Sequence, residues 1–183
     1  MAASPTLHPT LWRTCRVLAN RTRLAIFDLL RKEQPLSVSA VAERLKLVLP
    51  FASQSLRALE ARGLLTSRRR NRSVLYRLNL DPGAALVAPL RQAFQRQFMP
   101  IEHVFKMATA FTHPRRIEVY RALAAASRNR EQLWSFTRIP DRALRRHLAK
   151  LESRGFVQQR QGVYHVVEPT DGLTRVLARL ALE

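Results

Sequence analysis

The chain has one cysteine, Cys15, so no internal disulfide framework and no multi-thiolate metal site can form within it. Glycine is scarce, five in 183 residues, and none of the five belongs to a glycine-rich phosphate loop. No stretch approaches the roughly eighteen apolar residues of a membrane-spanning helix. Met1 to Trp12 lacks the charged-then-apolar order of a secretory signal. The histidines, His8, His103, His113, His147 and His165, show no i, i+4 pairing, and no carboxylate–histidine cluster or nucleophile–base grouping stands out. These absences predict a soluble, cytoplasmic protein that is not an enzyme and uses no metal or cofactor.

Acidic residues are few, 13 against 32 basic ones, which leaves a net charge of +19. A surface charged so strongly repels itself unless it meets a polyanion, so nucleic acid or an anionic membrane is the expected partner. Only Lys32, Lys46, Lys106 and Lys150 are lysines. Arginine codons of a GC-rich genome explain that bias, so the sign of the charge carries more than arginine identity at one position. The apolar fraction of 46% is enough for a core. Aromatics are limited to two Trp, three Tyr and eight Phe, mostly at core spacing, which argues against stacking on single-stranded RNA.

The chain reads as one module written twice. Arg23-Leu-Ala-Ile-Phe-Asp-Leu-Leu30 aligns with Arg116-Ile-Glu-Val-Tyr-Arg-Ala-Leu123. Leu56-Arg-Ala-Leu-Glu-Ala-Arg-Gly-Leu-Leu65 aligns with Leu148-Ala-Lys-Leu-Glu-Ser-Arg-Gly-Phe-Val157. The offset stays nearly constant between the two segments, which chance similarity rarely preserves. The modules are expected at 11–98 and 101–183, joined by a linker near 99–101.

Each copy carries the same plan. In the first, Leu24, Phe27 and Leu30 recur at helical spacing, followed by a turn at Glu33 to Pro35 and an apolar face at Val41 and Leu45. Pro50 suits the first turn of the next helix, which buries Ala52, Leu56 and Leu59 and stops at Gly63. Leu64 to Arg69 and Ser73 to Leu78 read as a hairpin turning at Arg70-Asn71-Arg72. A helix over about 84–98 closes the module. The second copy repeats the order, with helices through His103 and Phe105, from Arg115 to Leu123, near Leu133, and up to Gly155. A tight hairpin follows at Gln161-Gly162, then a helix over 170–182. Three helices followed by a hairpin is the winged helix order, so the expected fold is mainly α with small β-hairpin wings, in tandem winged helix-turn-helix modules.

In a helix-turn-helix the second helix of the pair lies in the major groove. With Ala52, Leu56 and Leu59 inward, Pro50, Ser53, Gln54 and Arg57 turn outward. Gln54 suits an adenine edge, and Arg57 suits guanine or phosphate. In the second copy, inward Leu144, Leu148 and Leu151 turn Arg142, Arg145 and Arg146 outward, while His147, beside Leu148, reads as a packing residue. Arg68, Arg69, Arg70 and Arg72 crowd the first hairpin tip, where their mutual repulsion is relieved by phosphate. The second hairpin is short and carries only Arg160.

Leu18-Ala-Asn-Arg-Thr-Arg-Leu-Ala-Ile-Phe-Asp-Leu-Leu30 resembles the opening helix of the arsenical-resistance repressor (ArsR/SmtB) family. Ser53 to Leu65 resembles that family's recognition helix, and Arg68 to Leu78 its wing. The resemblance covers about residues 12–80, and a second copy matches over about 105–168. It implies a homodimeric repressor that releases DNA when a ligand, often a metal, binds. Thiolate sensors of that family carry a Cys-x-Cys pair where Ser37 and Ser39 stand here. Hydroxyls do not replace thiolates for soft metals, and these two suit a helix cap instead. Val48, Leu49, Pro50 and Phe51 also depart from the family's small polar residues. They suit either thymine methyls or a protein partner.

The expected function is a transcriptional regulator, a repressor by resemblance, acting on double-stranded DNA and answering an unknown effector. The alternative is a tandem winged-helix scaffold for protein interaction or chromosome organisation. Apolar spacing at Leu86, Leu90, Ala93 and Phe94, and at Leu173, Val176, Leu177 and Leu180, gives both closing helices a face to bury. The modules then pair within one chain as a pseudo-dimer, or between chains as a homodimer.

Overall fold

The computed structural model describes residues 10–71, 73–84, 86–96 and 100–183. The first module runs α1 (Leu11–Leu18), α2 (Arg21–Lys32), β1 (Leu36–Ser37), α3 (Val38–Arg44), α4 (Leu49–Glu60), β2 (Leu65–Arg70), β3 (Ser73–Leu78) and α5 (Val87–Arg96). The second runs α6 (Ile101–Ala108), a 3-10 turn (Thr109–Phe111), α7 (Pro114–Ala125), β4 (Arg128–Asn129), α8 (Arg130–Thr137), α9 (Asp141–Glu152), β5 (Val157–Arg160), β6 (Val163–Val166) and α10 (Gly172–Leu182). Both sheets are antiparallel with the same topology, β1-β3-β2 and β4-β6-β5. The fold is mostly helical with two small sheets, consistent with winged helix modules.

Local chemistry explains these boundaries. The Asn20 side chain caps α2 by accepting from the Arg23 N–H at 2.9 Å, and Ser37 caps α3 through Ala40 at 3.2 Å. Asn129 with Gln132 forms a capping box on α8. Helix α4 carries Pro50 in its first turn and ends before Gly63, whose φ of +69° is the left-handed conformation expected after a helix end. Gln161 and Gly162 both have positive φ, the type I′ turn that closes a two-residue hairpin.

Two features differ from the sequence reading. Helix α5 starts at Val87 and not at Ala84, because Asn79 and Asp81 tie up the preceding chain. The Asn79 carboxamide oxygen accepts from the Asp81 N–H, and the Asp81 carboxylate accepts from the Gly83 N–H. Its expected end at Phe98, and Met99 of the linker, lie outside the described residues. Each wing also gains a third strand: Leu36 pairs with Tyr76, and Arg128 pairs with Tyr164. A two-residue strand offers too little alternation to be seen in sequence.

One apolar cluster spans both modules. Helix α5 packs against α10, and α1 packs against α6 and the 3-10 turn. Leu90, Leu177 and Leu180 are buried, as are Leu11, Cys15 and Leu18 on α1 and Phe111 on the turn. Burying each such leucine contributes about 1.5–3 kcal/mol. The edge-on pair of Phe27 and Phe94, 5.3 Å apart, fastens α5 to its own module. Arg21 bridges to Glu102 at 2.6 Å and lies over the Phe105 ring. Both charged groups are largely exposed, so this contact orients the modules more than it stabilises them.

Arg23 and Arg116, which align with each other in the sequence, make similar contacts. Arg23 donates to the carbonyls of Val17 and Arg16, and Arg116 donates to the Thr109 carbonyl and the Thr112 hydroxyl. Each ties its long helix to the end of the preceding helical segment, satisfying carbonyls that the helix end leaves open.

Candidate nucleic-acid interface

Helix α4 buries Ala52, Ser55, Leu56 and Leu59 against the module core. That stripe leaves Pro50, Gln54 and Arg57 exposed and Ser53 half-buried. Gln54 therefore presents its carboxamide at the middle of the helix, with Arg57 less than one turn further on. Arg57 stands beside Glu60 and the hydroxyl of Tyr76 on β3. Burial, then Glu60, pushes the Tyr76 hydroxyl above its ordinary value, so the phenol stays protonated.

The wing has two unlike faces. Cross-strand partners share a face, so Leu65 with Leu78, Ser67 with Tyr76 and Arg69 with Val74 continue the core row. Thr66 with Arg77, Arg68 with Leu75 and Arg70 with Ser73 form the outer row. Arg68, Arg70 and Arg77 thus lie on one side of the sheet, with Arg69 on the other. All four are exposed, and no carboxylate pairs with them among the described residues. Arg72 lies outside the described residues. Arg77 escaped the sequence reading, although its alternation with Leu75 and Ser73 was the signal for it.

In the second module α9 buries Leu144, His147, Leu148 and Leu151, so His147 packs inward as its place in the sequence predicts. Arg142, Arg145 and Arg146 are exposed on the opposite face. They are not equivalent. Arg145 is held by Asp141, one helical turn earlier, and Arg130 reaches the same carboxylate at 3.0 Å. Arg142 and Arg146 have no acidic partner among the described residues. Lys150 extends their stripe by one further turn. Helical spacing from Arg142 and Arg146 was the signal that would have found it.

Several exposed apolar groups stand out. Val48, Leu49 and Phe51 are 72%, 54% and 40% exposed at the start of α4. Trp134 and Phe136 on α8 are exposed too, each beneath an arginine, Arg138 and Arg128 respectively.

Nothing in the geometry supplies a metal centre: among the described residues no group of three histidine, cysteine, aspartate or glutamate side chains converges. His8 lies outside them. Ser37 and Ser39 bond to each other at 2.9 Å while Ser37 caps α3. Burial pushes the Cys15 thiol well above its ordinary value, leaving it neutral and unreactive. No helix among the described residues is long and apolar enough to cross a membrane.

Residues 18–68 match a family described as a helix-turn-helix domain. That stretch contains α2, α3 and α4. A comparison with curated proteins finds no match. Among solved structures the chain is similar to a possible transcriptional regulatory protein (fragment 1–100) from Mycobacterium bovis, at 33% identity and a TM-score of 0.37. That similarity covers 46% of this chain and 89% of the other. The helix-turn-helix match supports a DNA-binding regulator, not an enzyme.

Proposed function

We propose that the chain is a transcriptional repressor that holds duplex DNA between two winged helix modules of one polypeptide. Gln54, Arg57, Arg142 and Arg146 meet the major grooves, and Arg68, Arg69, Arg70, Arg72 and Arg77 of the first wing meet the backbone. The single observation that carries this reading is the placement of basic charge. In a chain of net charge +19, Arg68, Arg69, Arg70 and Arg77 on the first wing and Arg142 and Arg146 on α9 are all exposed and form no salt bridge among the described residues. Such a surface is costly in isolation, and phosphate offsets the cost by releasing counterions. In the ArsR/SmtB family, which the first module resembles, repression ends when an effector binds. The serines at 37 and 39 argue for an effector other than a thiophilic metal.

The test is fluorescence anisotropy with the chain's own upstream DNA and an unrelated duplex, from 50 to 200 mM salt. If roughly six to ten phosphates are contacted, affinity falls on the order of 10³- to 10⁵-fold across that range. A flat salt response would refute the reading.

A second reading has one observation in its favour. The Val48, Leu49 and Phe51 patch at the start of α4 sits where a groove-reading helix is usually polar, and it suits a protein partner as well as thymine methyls. Leu49→Ser with Phe51→Ser separates the two: a scaffold keeps its DNA affinity, and a groove reader loses discrimination between sites.

A further inference from the structure

Where α7 begins, an open cleft of 570 Å³ lies against α9. His113, Arg115 and Arg116 line one side, and Arg146, His147 and Lys150 line the other, with no carboxylate among the lining residues. His113 caps α7: its Nδ1 accepts from the Arg115 N–H at 3.2 Å. That bond places the ring proton on Nε2, which is left as a donor. His147 is 8% exposed, lines the cleft, and makes no hydrogen bond among the described residues. A ring that reaches the cleft without a protein partner is open to an acceptor there. The two rings lie 4.8 Å apart. Arg116 spends its terminal nitrogens on Thr109 and Thr112, and its Nε is buried without an acceptor.

We propose that this cleft is a phosphate site, in which His113, Arg146, His147 and Lys150 hold one phosphate group against the fixed charge of Arg115 and Arg116. The donors are arranged around a space, the space lacks negative charge, and a phosphate satisfies several of them at once. The first module has no such site. The repeat places Asn20 opposite His113, Gln54 opposite Arg146, Ser55 opposite His147 and Ala58 opposite Lys150. What the first module has in its place is the arginine wing, whereas the second wing carries only Arg160. The cleft borders the face that holds Arg142 and Arg146, so a backbone phosphate of the bound duplex is the occupant. That assignment of source rests on the DNA-binding reading; the phosphate site does not.

Burial holds both imidazoles below their ordinary range, His147 to about 4, helped by Arg115, Arg116 and Arg146, and for His113 by Arg16 on α1. At neutral pH they are neutral N–H donors, and the charge of the site comes from arginine and lysine. The test follows the imidazole Cε1–H signals of the full chain at pH 7.5, assigned with His113→Gln and His147→Gln, as inorganic pyrophosphate is added. The His113 and His147 signals should move together and saturate while those of His103 and His165 stay. Calorimetry should show about a tenfold or greater loss of pyrophosphate affinity for His147→Gln with Lys150→Met, the worth of about one charge-assisted hydrogen bond. Circular dichroism confirms that the double variant is folded. Unmoved signals, or a folded variant that binds as tightly as the parent, would overturn the site. Saturating duplex should shield both rings from pyrophosphate. If pyrophosphate still moves them with duplex bound, the occupant is a free phosphorylated ligand and the duplex assignment falls. Loss of all duplex binding with the pyrophosphate response intact sinks the regulator reading alone.

Discussion

Arg145 and Arg146 are neighbours in sequence with opposite circumstances. Arg145 must release Asp141 before it can reach a phosphate or base, whereas Arg146 already faces solvent without an acidic partner. Arg146→Ala should therefore weaken duplex binding severalfold more than Arg145→Ala when both are titrated at the same salt; equal losses would mean that Asp141 does not compete with DNA. On the wing, Arg68→Ala, Arg70→Ala and Arg77→Ala should weaken binding to all duplexes alike. Each should lower the salt slope by about 0.9 if it contacts one phosphate. Gln54→Ala should instead cut the preference between sites by about 1–3 kcal/mol, read from paired titrations. His147 makes a prediction about stability. The unfolded ring takes up a proton near pH 6.5, and the folded one refuses it until about pH 4. The contribution of His147 is thus fully present above pH 6.5 and is lost as pH falls through 4. Its size is on the order of 2–3 kcal/mol. Urea midpoints from pH 7.5 to 4 should fall less steeply for His147→Asn than for the parent, and parallel curves would remove the effect. The outward stripe of α4 was legible in sequence because burial recurs at helical spacing. The meeting of His113 with His147 was not, because they sit on different helices and only packing joins them.

At the scale of the element, the two recognition helices end in the same way. Gly63 and Gly155 have φ of +69° and +76°, where an added Cβ meets nothing closer than 3.7 Å at the first and nothing within 4 Å at the second. Space is available at both, so the cost of Gly→Ala is conformational, about 1–2 kcal/mol each. Thermal unfolding should give similar losses for Gly63→Ala and Gly155→Ala. A much larger loss at Gly63 would show that its neighbour Val87 cannot yield. The glycines, the caps and the long helices were readable because each rests on a local rule. The third strands, β1 and β4, and the late start of α5 were not. A two-residue strand exists only through its partner, and the Asn79–Asp81 turn competes with helix by side-chain bonds that helical spacing does not register.

For the molecule as a whole, the question is which surfaces are already used. The closing helices α5 and α10 bury their apolar faces on each other, and α1 is covered by α6 and the 3-10 turn. We therefore expect a monomer with two recognition helices about one turn of DNA apart, roughly 34 Å, on an asymmetric site. Light scattering at micromolar concentration should give a mass near 21 kDa, and twice that value would favour a homodimer. Zinc, cadmium and arsenite should neither bind tightly nor release DNA. A sub-micromolar affinity against a chelating dye would contradict this.

A regulator assembled from separate subunits must first find its partner, so at low abundance its active form falls with the square of protein concentration. In the proposed monomer, where the two modules are joined in one chain with α5 against α10, that step is absent. Operator occupancy then follows the first power of concentration and stays graded when only a few molecules are present in a cell. The fusion also frees the halves from identity. On that proposal a substitution in α9 would alter one half-site and leave the other as it was, a freedom that a symmetric dimer lacks, since every change there appears twice.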